Sequence, residues 1–269
     1  MTDWFTHTVD WFAHKLLGLP ELDSSTGKPI DDLMVYVHWL MLVLLIGWTL
    51  YFFYVLWRFN AKRNPKADYD GSKSHLPKYT EIGVVIAEAV LLVVIAMPLW
   101  ARNVEEFPKP EDSTVIAIMA QQFAWNVRYP GKDGKFGRQD MRLVKQDNLF
   151  GVDPTDPNGK DDVQTLNEIH VPLVAGADGQ NKPVIIYVSS KDVIHSFKLI
   201  AMRVTQDAIP GMRIPLWFQP TQTGKYQINC AQLCGNSHFA MNGGVLTVES
   251  RAEFEKWLAS KAGAATSFE

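Results

Sequence analysis

Cysteine is nearly missing from this chain: 269 residues carry two, Cys230 and Cys234. A disulfide framework is therefore excluded as the basis of the fold. Two cysteines in an oxidising compartment most simply make one disulfide, and that plain reading has to be weighed. Basic excess is missing as well. The formal net charge is -3, from 26 Lys and Arg against 29 Asp and Glu, and no basic, aromatic-rich motif occurs, so no nucleic-acid partner is expected. There is no internal repeat, and no Cys-x-x-Cys-His run that would attach a haem covalently. The N-terminal stretch has no basic start followed by an apolar run and a small-residue cleavage site, so a removable signal peptide is not expected.

Apolar residues, in contrast, make up 47% of the chain and are unevenly spread. Leu33 to Trp57 is a run of about 25 residues whose only potentially charged member is His38, long enough to cross a bilayer. Tyr36 and Trp39 at one end, with Tyr51, Tyr54 and Trp57 at the other, sit as interfacial aromatic belts do. Ile82 to Trp100 gives a second run of about 19 residues, interrupted by Glu88 and carrying Pro98 near its end. A buried core helix is the plainer reading of either run alone. Two in tandem, joined by a polar connector, predict a transmembrane helical hairpin over residues 32–104, in contact with membrane lipid. Arg58, Lys62, Arg63, Lys66, Lys73 and Lys78 crowd the connector, which places it on the cytoplasmic side and both termini opposite. Residues 1–31 then form an external arm, where Trp4, Phe5, Val9, Phe12, Leu16 and Leu17 recur at roughly helical spacing and predict a short amphipathic helix.

From Glu105 onward short apolar runs alternate with turn signals, which predicts an all-β domain over residues 105–250. The expected strands are Val115–Ala120, Ala124–Tyr129, Asp140–Leu143, Ile169–Val171, Val184–Val188, Phe197–Ile200, Lys225–Asn229 and Gly244–Val248. That length suffices for a Greek-key barrel with its own core. A closing helix, Arg251 to Ala262, begins the segment 251–269 and gathers Phe254, Trp257 and Leu258 on one face.

The chemistry concentrates near the end of the β domain, in Cys230-Ala-Gln-Leu-Cys234-Gly-Asn-Ser-His238-Phe-Ala-Met241, with His195 upstream in Asp192-Val-Ile-His-Ser. Two thiols, two imidazoles and a thioether form a set that soft metals favour, copper above all. Zinc is the rival for Cys and His, but it gives no reason for Met241 or for the apolar neighbours Ile228, Leu233 and Phe239. Two thiolates can bridge two metal ions, leaving one His for each and Met241 as a weak outer ligand. The pattern points to a dinuclear copper electron-transfer centre.

Two N-terminal spans followed by this ligand order resemble subunit II of haem–copper cytochrome c oxidase. Asp207-Ala-Ile-Pro-Gly211 and Gln121-Gln-Phe-Ala-Trp125 extend the similarity along nearly the whole chain. The resemblance implies a cupredoxin-like Greek-key barrel holding a CuA centre of two copper ions. Its ligands would be His195, Cys230, Cys234, His238, Met241 and the backbone carbonyl of Gln232. It also implies a bacterial inner-membrane location with the copper domain in the periplasm, oxidase subunits I and III as neighbours, and cytochrome c as electron donor. Electrons would pass onward to haem and the oxygen-reducing centre of subunit I. The usual electron-entry Trp is replaced by Phe123, with Trp125 two places on, so one of these is expected to take that role. Glu81 matches a glutamate at the entrance of a proton pathway. Between the two cysteines the family usually has Glu, whose carboxylate reaches a magnesium ion; the neutral amide of Gln232 is a poor magnesium ligand and counts against that ion. Arg128 stands where the family often has an acidic residue for docking cytochrome c, and the acidic loop from Asp147 to Asp162 is the sequence's substitute, a merely solvated loop being the plainer reading. A quinol oxidase subunit, which lacks the copper ligands, a membrane nitric oxide reductase with a CuA domain, and a membrane-tethered copper carrier are the rival functions.

Overall fold

The computed structural model describes residues 11–66, 69–71, 73–145, 147–176 and 179–262. It divides into two compact units, one holding residues up to Leu19 together with Pro29–Glu106, the other Pro20–Lys28 together with the chain from Phe107 onward.

The helical unit is built on α1 (Lys28–Arg58) and α2 (Leu76–Glu105), both long and apolar enough to cross a membrane. Neither apolar window is buried within the chain, so their surfaces are left for lipid or for other proteins. The helices overrun the apolar runs seen in the sequence, because backbone hydrogen bonding continues into the polar flanks. Within α2 the α-helical turns of Leu76–Ala89 give way to a π-helical stretch, Val90–Ala96, before α-helix resumes at Met97–Glu105. Pro98 accounts for it: the ring offers no N–H and would press on the carbonyl four residues back, and a wider turn relieves that crowding. Trp4, Phe5 and Val9 of the expected amphipathic helix lie outside the described residues. Of the rest, Phe12–Leu16 form one short π-helical turn, where Phe12 stacks on Trp39 at 4.8 Å.

Among the described residues the β unit holds ten strands: β1 (Thr114–Gln121), β2 (Ala124–Tyr129), β3 (Val163–Leu166), β4 (Glu168–Leu173), β5 (Val184–Ser190), β6 (His195–Leu199), β7 (Val204–Ala208), β8 (Ile214–Phe218), β9 (Gly224–Cys230) and β10 (Val245–Ser250). They form two five-stranded sheets, ordered β3-β2-β1-β5-β8 and β4-β10-β9-β6-β7. One core joins both sheets, from Ile116, Trp125 and Ile186 on one to Phe197, Ile228 and Leu246 on the other. The strands β3, β7 and β8 go beyond the sequence expectation, and all three lie at sheet edges. The expected strand Asp140–Leu143 is instead a short 3-10 turn, Met141–Leu143. The Asp140 carboxylate accepts from the Arg142 backbone N–H at 2.9 Å and also binds its guanidinium, and such local bonding competes with a strand ladder.

Two attachments complete the β unit. Segment 20–28 is laid along it: Asp23 N–H donates to Ala201 O, Thr221 N–H to Asp23 O, and the Ser24 hydroxyl to Met202 O, each at 2.9 Å. At the other end α3 (Arg251–Lys261) starts on a capping box between Ser250 and Glu253. It packs Trp257 flat on His170, ring centroids 4.0 Å apart.

Candidate metal centre

Strand pairing brings the ligands together. His195 opens β6 and Cys230 closes β9; these strands are antiparallel neighbours, with Phe197 opposite Cys230. Both ligands thus reach the same end of one sheet, and Ala231 N–H is fastened to Ser196 O at 2.9 Å. The chain then loops back through Cys234 to His238 and Met241, which lie at the start of and within the 3-10 turn His238–Gly243. The donor atoms of His195, Cys230 and Cys234 lie within 4.8 Å of one another, and all three residues are buried. His238 Nδ1 is 3.3 Å from Cys234 Sγ, and the Gln232 carbonyl is 3.1 Å from Cys230 Sγ. Met241 is fully buried in the adjoining core.

The donor set fits a soft cation. Both thiols are free, so the simplest sequence reading, a disulfide, is not what this geometry holds. His195 Nε2 lies 2.9 Å from the Asp192 carboxylate, which fixes the proton on that nitrogen and turns the lone pair of Nδ1 inward. Nδ1 is buried and, among the described residues, has no hydrogen-bond partner. A buried unpaired nitrogen beside two thiols is costly unless a metal satisfies it. Burial, then the neighbouring Cys230, push the Cys234 thiol up to about 11. The Cys234 thiolate therefore requires a cation to hold it in that form.

A second ring of groups positions these ligands, and the sequence motif alone did not single it out. Asp192 also accepts from the Gln122 backbone N–H at 2.7 Å, while the Gln122 side chain donates to Cys234 O at 2.6 Å. Asn242 Oδ1 accepts from Cys230 N–H at 3.3 Å. Burial works against ionising Asp192, but its bonds from Gln122, His195 and Val193 outweigh it and hold the carboxyl below its ordinary range. The visible signal was an Asp three residues before a ligand His. Replacing Asp192 by Ala is expected to lower copper affinity about 10–100-fold, read by titrating copper out with a chelator; unchanged affinity would show that His195 needs no orienting partner.

The two aromatics expected at the electron entry separate. Phe123 is partly exposed and packs against the metal loop: a Cβ added at Gly235, whose φ is +143°, would lie 2.9 Å from the Phe123 ring. Trp125 is wholly buried, donates Nε1–H to the Met241 carbonyl at 2.9 Å, and meets the His195 ring edge-on at 6.1 Å. Glu81 lies exposed on α2 and takes no part in the cluster.

Two surface expectations are corrected. Leu233 and Phe239 do not wall the site; they are 76% and 75% exposed and face outward, because the loop's inner side is taken by its ligands. Arg128 is not a surface residue but is fully buried. It alternates with the core residues Val127 and Tyr129, so it points to the outer side of β2. There it donates to Asp162 and to Gly137 O under the segment 130–162, with Phe136 against its guanidinium. Within the loop Asp153 binds Arg138, so the acids from Asp147 to Asp162 are partly neutralised by arginines of the same unit.

Comparison with known proteins shows which family this chain resembles. The family described as cytochrome c oxidase subunit II, periplasmic domain, matches residues 114–248. The alternative cytochrome c oxidase subunit 2 of Bradyrhizobium diazoefficiens is 32% identical over 230 residues, covering 85% of this chain and 79% of the relative. Cytochrome c oxidase subunit 2 of Cereibacter sphaeroides is 27% identical over 265 residues, covering 93% and 84%. Among solved structures, the periplasmic domain of subunit II of cytochrome oxidase from Bradyrhizobium japonicum is 32% identical, with a TM-score of 0.40 over 57% of this chain and 95% of that one.

Proposed function

The chain belongs to the cytochrome c oxidase subunit II family, a membrane component of a haem–copper oxidase with two apolar helices and a cupredoxin-like domain, and on that premise we propose that it is the oxidase's electron-entry subunit. It takes electrons from cytochrome c and delivers them to haem in subunit I, where oxygen is reduced to water. The observation that carries the proposal is the unpartnered His195 Nδ1 beside two free thiols.

The residues that would hold a copper pair are His195, Cys230, Cys234, His238, Met241 and the Gln232 carbonyl. Held by these residues, such a pair would supply one-electron transfer with little structural change between redox states. The chain's own part is to keep that change small. Strands β6 and β9 fix His195 and Cys230, Asp192 fixes the His195 ring, and Trp125 braces Met241 and His195 together. The Gln232 amide lacks the carboxylate that magnesium favours, so copper alone is assigned to this loop. Phe123, the partly exposed aromatic packed against the metal loop, is assigned as the point of electron entry, and Trp125 as an internal support. The basic connector between the helices is assigned to the cytoplasmic side of a bacterial inner membrane, with the copper domain in the periplasm. Glu81, at the connector end of α2, is assigned to proton entry, and subunit III is the further neighbour.

The test uses the assembled oxidase. Two coppers per chain, with one unpaired electron shared between them in the paramagnetic resonance spectrum, are expected. A single copper or a zinc in fully metal-loaded protein would overturn the dinuclear reading. Phe123→Ala should slow cytochrome c oxidation several-fold while leaving copper content and spectrum intact; the parent rate in that variant would remove Phe123 from the path.

A further inference from the structure

The outer face of the sheet β3-β2-β1-β5-β8 carries a cavity that the metal centre does not use. It holds about 200 Å³, with Ala117, Tyr187 and Ser189 contributed by the strands, Gln139 and Phe150 by the covering segment, and Arg213 by the turn before β8. The register accounts for the space. Arg128 on β2, Ala117 on β1 and Tyr187 on β5 stand in one row across the sheet. Between two large side chains Ala117 presents a single methyl group, so the room above it stays open.

Arg213 is fixed in place at this cavity. Its guanidinium carbon lies 3.5 Å from the centroid of the Tyr187 ring. A cation seated on an aromatic face is already ordered, and its N–H edges remain free to donate. Among the described residues that guanidinium makes no hydrogen bond or ion pair, and neither do the side-chain hydroxyls of Tyr187 and Ser189. Burial first, then the charge of Arg128, hold the guanidinium below its ordinary range against an opposing pull from Tyr187. No carboxylate is among the groups acting on it. An ordinary surface arginine is merely solvated; this one is seated on a ring, beside a cavity, with two free hydroxyls for company.

We propose that this cavity binds a carboxylate, with Arg213 taking it edge-on and the hydroxyls of Tyr187 and Ser189 donating to it. The donor set selects the ligand. One free guanidinium supplies a single charge and a two-pronged fork, which matches a carboxylate. A phosphate dianion would call for a second free cation, and Arg128, behind the Phe150 ring, is spent on Asp162. The carboxylate belongs either to a small free organic acid or to an acidic side chain of a neighbouring oxidase subunit, and the recognition is the same for both. No copper ligand takes part.

The experiment titrates succinate, and its neutral diamide, into the full-length subunit and into the assembled oxidase by calorimetry, with chloride holding the ionic strength constant. Succinate is expected to bind and the diamide not to. Arg213→Gln should weaken succinate at least about tenfold, as loss of a charge-assisted hydrogen bond predicts. Tyr187→Phe keeps the ring under the guanidinium and removes only the hydroxyl, so it should cost about threefold. Binding that persists in the assembled oxidase supports a free acid as the ligand. A carbodiimide cross-link from Arg213→Lys to a carboxylate of another subunit supports a side chain instead. Neither succinate binding nor a cross-link, equal succinate affinity in Arg213→Gln, or equal binding of the diamide would overturn the proposal. Circular dichroism and the copper spectrum of each variant report separately on the fold and the metal centre.

Discussion

On the proposed dinuclear centre, replacing Cys230 by serine is expected to reduce copper from two ions per chain to one or none, and to abolish cytochrome c oxidation. Serine keeps the size of the side chain but offers a hard oxygen whose proton is not lost near neutral pH, and soft copper discriminates against it. Cys230 ends β9 and bonds through its backbone N–H to Asn242, so the fold around the substitution should survive, with circular dichroism of the subunit unchanged. Loss of an orienting partner alone costs about 10–100-fold in affinity, and loss of a bridging ligand should exceed the upper figure. Met241→Leu forms the contrast. A weak axial thioether tunes the centre more than it holds it, so that variant should keep both coppers and shift the reduction potential. Two tightly bound coppers in Cys230→Ser would show that the thiolate pair is not the bridge.

The parts of this molecule that were legible in the sequence are those whose signals are local. The apolar runs of the two helices announce themselves by length, and the metal loop by ligand spacing, because its donors are fixed by a few intervening residues. His195 was legible only as a lone His; its partnership with Cys230 depends on β6 lying beside β9. Central strands such as Val184–Ser190 are buried on both sides and read as continuous apolar runs. The strands that sequence reasoning passed over, Val163–Leu166, Val204–Ala208 and Ile214–Phe218, are edges; the first two interleave polar residues, and the third, though apolar, carries Pro215. That is where strand patterning is weakest and Pro is tolerated. Segment 20–28 gave no signal either, since its hydrogen-bond partners lie near residues 201 and 221. Leu233 and Phe239 misled because hydrophobicity does not tell which side of a loop a residue faces; neighbours bound to a ligand point inward, and these are left outside.

Arg128 misled for the opposite reason, and it gives the second large effect. A guanidinium looks like surface, yet this one is buried beneath residues 130–162, and the side chains of Arg128 and Asp162 are 0% and 2% exposed. Around them Leu149, Phe150, Ala117 and Met119 form a small core of their own, separate from the one between the sheets. Among the described residues Arg128 Nη1 and Asp162 Oδ1 already lack protein partners, so the pair has no further bond there to fall back on. Burial raises the Asp162 carboxyl against the pull of Arg128, a balance that tips when either member is removed. Asp162→Ala is therefore expected to cost about 3–5 kcal/mol, most of it the penalty of a buried guanidinium without its counter-charge. The double variant Arg128→Met with Asp162→Leu should recover most of that loss, since apolar groups of similar volume replace a buried ion pair at little cost. Denaturant midpoints of the purified subunit measure both, and limited proteolysis between Gly131 and Asp161 reports whether the covering segment has opened. The segment lies on the outer side of β1 and β2, while the ligands leave β6 and β9 at one end of the other sheet, so copper content in native buffer should not follow the change. A single-variant loss below about 1 kcal/mol would place the pair among ordinary surface bridges. A double variant no better than the single one would instead mean that the guanidinium fork, through Gly137 O and Phe136, holds the segment by shape as much as by charge.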